Sequence, residues 1–169
     1  MLTISERCTG EGRVDDRLVL PFDQRQKSRL RTVLASGVEA ALMLERGGVL
    51  RGGDRLRAAD GRIVAVEAAS EKVMRVTAGN ARQLALAAYH LGNRHVPLQV
   101  GDGWLLLEDD HVLEHMLLGL GVKIIHELAA FEPETGAYGG HGHHEHDHHE
   151  HGHHGHDDHH HDHGHHHHD

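Results

Sequence analysis

The chain has 169 residues and a formal net charge of −9, divided unevenly along its length. Its last 29 residues, 141–169, hold 18 of the 23 histidines, seven acids and no Lys or Arg, so residues 1–140 carry 19 acids against 17 bases, a balance of −2. A near-neutral body argues against nucleic-acid binding, the single cysteine, Cys8, excludes an intramolecular disulfide or a CxxC metal site, and no stretch approaches the roughly 18 apolar residues of a membrane span. The N-terminal segment, with Glu6, Arg7, Glu11, Arg13, Asp15 and Asp16, lacks the apolar run of a secretory signal. The expectation is a cytoplasmic protein that meets neither nucleic acid nor membrane.

Residues 1–71 read as a small all-β module, because turn signals recur too closely for long helices. Leu18-Val19-Leu20-Pro21-Phe22 is an apolar run that stops at Pro21, and Arg31 to Leu34 runs into the turn Ser36-Gly37. Val38 to Leu44 has helical propensity, but the glycines around it favour a strand. Val49-Leu50-Arg51 is expected as a further short strand between Gly47-Gly48 and Gly52-Gly53. Asp60-Gly61 before Arg62 to Val66 is a hairpin cue. The basic run Arg25, Lys27, Arg29, Arg31 reads as a solvated face, with a contact patch for an acidic partner as the alternative.

Residues 72–140 read as a second domain. Val73 to Thr77 is a strand. Asn80 is expected to cap a helix with Gln83 as its capping-box partner. Leu84, Ala87, Ala88 and Leu91 form one buried stripe, and Gly92 is expected to end the helix in the left-handed conformation. Leu98 to Val100 and Trp104 to Leu107 flank the turn Gly101-Asp102-Gly103. Asp109 or Asp110 caps a second helix with the stripe Leu113, Met116, Leu117 and Leu120, and Val122 to Ile125 is a last strand. The order β-α-β-β-α-β is the ferredoxin-like arrangement, so the fold class is α+β.

The segment 141–169 has no apolar side chain and is expected to be disordered. His141, His143, His144, His146, His148 and His149 open a run of imidazoles suited to zinc, copper or nickel. Protons compete for the same nitrogens, and full protonation of the 23 histidines would move the chain from −9 to +14. Metal capacity should therefore fall as pH drops below about 6.5.

Five histidines lie in the body: His90, His95, His111, His115 and His126. His95 follows the expected helix end and precedes Val96-Pro97, a junction that can hold a side chain rigid yet exposed; on spacing alone, an ordinary surface-loop histidine is the favoured reading. His111 and His115 share a helix face opposite the apolar stripe, toward solvent or another subunit. His111-Val112-Leu113-Glu114-His115 also matches H-x-x-E-H, a zinc-protease pattern, but a five-residue match in a His-rich chain is weak, and a small ferredoxin-like domain offers little room for a cleft. His90 and His126 are undecided locally, with His126 placed after the last strand.

Three segments in order, Pro21-Phe22-Asp23-Gln24-Arg25-Gln26-Lys27-Ser28-Arg29, Tyr89-His90-Leu91-Gly92-Asn93-Arg94-His95 and Phe131-Glu132-Pro133-Glu134-Thr135-Gly136-Ala137-Tyr138, resemble the urease accessory nickel chaperones of the UreE family. The resemblance implies a non-enzymatic nickel metallochaperone whose cargo is Ni(II), with Zn(II) or Cu(II) able to use the same ligands. It implies a partner- or peptide-binding N-terminal module, and a C-terminal domain that forms a homodimer. Two copies of His95 would share one metal across the twofold axis. Delivery would go to the urease apoprotein complex through its GTPase. Some relatives carry His-x-His where this chain has Asp109 and His111, so an auxiliary site at His111, with Asp109 or His115, keeps only one imidazole of that pair. The alternative is a storage or detoxification protein acting through the His-rich segment alone.

Overall fold

The structure, a computed structural model, describes residues 1–135. The expected disordered segment 141–169, with His141, His143, His144, His146, His148 and His149, lies outside the described residues.

Seven elements build the N-terminal region: β1 (Leu2–Cys8), β2 (Asp16–Leu20), α1 (Phe22–Arg25), β3 (Arg29–Val33), β4 (Glu39–Met43), β5 (Arg55–Ala58) and β6 (Ile63–Ala68). The strands form one mixed sheet in the order β2-β6-β5-β1-β4-β3. Alternate residues point to one face, so Leu2 and Ile4, Leu18 and Leu20, Leu56 and Ala58, and Val64 and Val66 all enter a single core with Leu42 and Leu50. Val38 to Leu44 is a strand as expected, and Gly61 (φ +89°) turns β5 into antiparallel β6.

Two strand assignments differ from expectation. β1 lies inside the sheet between β4 and β5, yet only Leu2 and Ile4 mark it in sequence before the charged pair Glu6-Arg7. Val49 to Arg51 is not a strand. Leu50 is buried, but its N–H donates to Arg25 O (2.9 Å) and its carbonyl accepts from Arg25 Nη1 (3.0 Å). The backbone needs of this segment are met by α1 rather than by a ladder.

The C-terminal elements are β7 (Ser70–Thr77), α2 (Ala81–Asn93), β8 (Gln99–Gly101), β9 (Trp104–Glu108), α3 (His111–Gly119) and β10 (Lys123–Ala130). The sheet order β10-β7-β9-β8, with every pair antiparallel, completes the ferredoxin-like arrangement. Both helical stripes meet the sheet in one core, where Ala87, Leu91 and Leu117 pack with Met74, Val76, Leu105 and Leu107. Asn80 Oδ1 accepts from Gln83 N–H (2.9 Å), but Gln83 Oε1 accepts from Gly79 N–H (3.2 Å) instead of closing a capping box on Asn80. Asp110, not Asp109, caps α3, accepting from Val112 and Leu113 N–H. β10 continues five residues past Ile125, so His126 sits within the strand rather than after it.

The two sheets are joined by a small third core of Phe22, Val73, Leu106 and Phe131, with the Phe22 and Phe131 rings edge to face at 5.5 Å. Beside it lies Arg25, which is fully buried. Its guanidinium donates to Leu20 O, Leu50 O, Phe131 O and the Glu132 carboxylate. The basic run is therefore not one solvated face. Arg25 is a clasp between the sheets, Lys27 is 3.7 Å from Asp23, and Arg29 and Arg31 are exposed without an ion-pair partner among the described residues.

Candidate metal centre

The path to His95 begins at the end of α2. Gly92 does not take the left-handed position; it stays inside the helix, which runs to Asn93 with Arg94 as C-cap. The left-handed residue is His95 itself, at φ +55°, the one non-glycine with positive φ among the described residues. His95 N–H donates to Gly92 O (3.0 Å) and Val96 N–H to Leu91 O (3.2 Å). These are the two bonds of a Schellman cap, and Val96 and Leu91 share the same core, supplying the apolar contact that goes with it. Glycine is the usual occupant of this site, because a Cβ there costs roughly 1–2 kcal/mol. Capping bonds and burial of Val96 hold the backbone in place, while the imidazole stays exposed.

His95 lines a groove of about 600 Å³ between the two sheets. Phe22, Gly47, Val49 and Arg51 stand on the N-terminal side and Pro97 and Glu134 on the C-terminal side. Past β10 the chain runs back along β8: Glu132 N–H donates to Gln99 Oε1 (2.8 Å) and Glu134 N–H to Leu98 O (2.8 Å). Thr135, the last described residue, thus lies on the same groove as His95.

The other candidates are not gathered around it. His111 and His115 are exposed on α3, and among the described residues no group of three His, Cys, Asp or Glu side chains is arranged so that all three could hold one metal ion. His90 is half-buried, its ring edge to face with Tyr89.

His126 is the residue local sequence could not place. Its Nε2 is 2.9 Å from Glu114 Oε1 of α3 and its Nδ1 is 3.2 Å from Asp109 Oδ1. The hydrogen bond to Glu114 raises its pKa above the ordinary 6.5, with the charges of Glu114 and Asp109 adding to the effect. A raised folded-state value means these bonds stabilise most below the ordinary histidine range and are lost as pH rises through the raised pKa. The available signal was period-2 alternation: Ile124, carried into β10, puts His126 on the helix-facing side, where α3 and Glu114 lie. Glu114 is therefore engaged with His126, not free between His111 and His115 as the H-x-x-E-H pattern would need.

Comparison with known proteins agrees with this architecture. Residues 4–69 match the family described as UreE urease accessory protein, N-terminal domain, and residues 71–156 match the corresponding C-terminal domain. The chain is 50% identical over 144 residues to the urease accessory protein UreE of Nitrosospira multiformis, covering 85% of this chain and 82% of that protein. It is 52% identical over 140 residues to that of Alkalilimnicola ehrlichii, covering 83% and 86%, and 51% identical over 139 residues to that of Janthinobacterium sp., covering 82% of each. Among the described residues, no helix is long and apolar enough to cross a membrane. The chain belongs to the UreE urease accessory protein family, and its role is that of an accessory to urease.

Proposed function

We propose that this protein is a nickel metallochaperone for urease maturation, holding Ni(II) between the His95 side chains of two protomers. The observation that carries this reading is the left-handed backbone at His95. A strained conformation at a position where glycine is the usual occupant points to a use for the side chain. One exposed imidazole with no converging donors among the described residues is half a site, and a twofold axis supplies the other half. Leu86 and Tyr89, on the outer face of the same helix, are 38% and 63% exposed and offer apolar surface to a partner copy.

The His-rich segment completes the scheme. Thr135 stands on the His95 groove, and the six residues from there to His141 span at most about 20 Å. Imidazoles tethered that near reach His95 at high effective concentration. Open, exchangeable coordination suits a carrier, whereas a closed four-ligand cage suits a structural site. The acceptor is the urease apoprotein complex with its GTPase, and the cell compartment is the cytoplasm.

The 18 histidines of 141–169 favour a second reading, a metal store acting through that segment alone. His95→Ala separates the two. The chaperone reading expects urease activation to be lost while total bound nickel barely changes; full activation by this variant, measured beside wild type, would leave the store as the better account.

A further inference from the structure

Away from the His95 groove, three side chains from three parts of the C-terminal domain meet on its outer edge. His126 comes from β10, Glu114 from α3 and Asp109 from the segment between β9 and α3. We propose that His126 and Glu114 form a second, exchangeable site for a borderline divalent cation such as Ni(II), with Asp109 orienting the imidazole.

The distances support the assignment. Cis donors about 2.1 Å from a common ion lie about 3.0 Å apart in octahedral geometry. His126 Nε2 and Glu114 Oε1 are 2.9 Å apart, the separation of two cis donors, so an ion beside the pair is reached by rotating the two side chains toward it without moving the donors apart. Metal-bound imidazoles commonly give their second N–H to a carboxylate, which sets the tautomer and raises ligand basicity. Asp109 Oδ1, 3.2 Å from Nδ1, stands in that place. One nitrogen and one carboxylate oxygen form a donor pair that zinc, copper and nickel accept.

The side of the ring is also decided. A cavity of about 480 Å³ opens on the Asp109 side, lined by Lys72, Asp109, His126, Glu127 and Leu128. Lys72, a cationic residue, is among those lining it, which disfavours a cation there, and Glu127 is committed to Arg75 across the strand pair at 2.8 Å. Glu114 is not among the lining residues of this cavity. With two protein donors, the ion keeps water in its other positions, which makes it exchangeable. His126 and Glu114 are about half and one-third exposed, so ion and water can reach them.

This site does not depend on the role of His95, and one experiment reads both. The full chain, labelled with ¹⁵N, is titrated with Ni(II) alone past the capacity of the His-rich segment, and paramagnetic broadening is followed at each backbone amide. The amides flanking Glu114 and His126 should broaden as a group distinct from those at 94–96. Glu114→Gln and His126→Asn, which keep size and fold, should abolish the first group and spare the second. Wild-type amides at 113–115 and 125–127 that stay sharp would overturn the proposal. So would broadening that survives both variants but disappears in His115→Ala, because the ion would then sit on the helical pair His111 and His115. Loss of broadening at 94–96 alone would count against the His95 site and leave this one standing.

Discussion

His95 shows how a single backbone angle carries more information than composition. Its imidazole is one of 23, but only its backbone, among non-glycines of the described residues, is left-handed. The conformation predicts that stability and function part ways there. His95→Gly removes the Cβ strain, partly offset by the greater freedom of glycine in the unfolded chain, for a net gain of up to about 1 kcal/mol. His95→Ala keeps the strain and should be close to neutral. Urea denaturation of both variants beside wild type measures this, while nickel delivery should fail in both. A glycine variant less stable than wild type would mean that the imidazole itself makes a stabilising contact and that strain is not what marks the site.

At the scale of elements, α1 is only four residues long, yet it connects the two sheets. Arg25 donates to three backbone carbonyls and to Glu132, while Phe22 of the same turn packs on Phe131 and its N–H donates to Glu71. Removing one partner of a buried ion pair costs about 3–5 kcal/mol, because the groups left behind stay desolvated. Arg25→Ala should therefore destabilise by that amount in chemical denaturation. It should also free Glu132, which fixes the run from Phe131 to Thr135 along the His95 groove, since Gly52 N–H remains as its other donor only at 3.3 Å or beyond. A loss under 1 kcal/mol would show that the two sheets hold together without the clasp.

For the whole molecule, the division of labour is between an ordered body of near-zero net charge and a segment of −7 rich in imidazole. Deleting residues 141–169 should lower bound nickel steeply in equilibrium dialysis and leave dimerisation intact, as both His95 and the exposed Leu86 and Tyr89 belong to the body. About one nickel per two truncated chains is the expected stoichiometry of a site shared across a twofold axis. A monomeric truncated chain, seen by light scattering, would place the dimer contact in the deleted segment.

Much of this was legible in the order of residues. Period-2 runs such as Leu18-Val19-Leu20 and Ile63-Val64-Ala65-Val66, and the stripes of Leu84 to Leu91 and Leu113 to Leu120, mark their elements because burial on one face is a local, repeating constraint. Hence the α+β class, the β-α-β-β-α-β order and the family resemblance were readable from residues alone. Other features depend on residues far apart in the chain. Arg25 meets Glu132, 107 positions away, and that distant partner turns a residue of a basic run into a buried clasp. Glu114 and Asp109 reach His126 only because β10 extends beyond its apolar start and lies against α3. Gly92 has the residue type of a helix stop, but Leu91 and Val96 share the core and carry the end of the helix three positions further, so that His95 takes the left-handed place. Local pattern determines which elements form; which side chains meet is decided by packing, since burial of a few apolar residues can override the nearest glycine or the nearest charge.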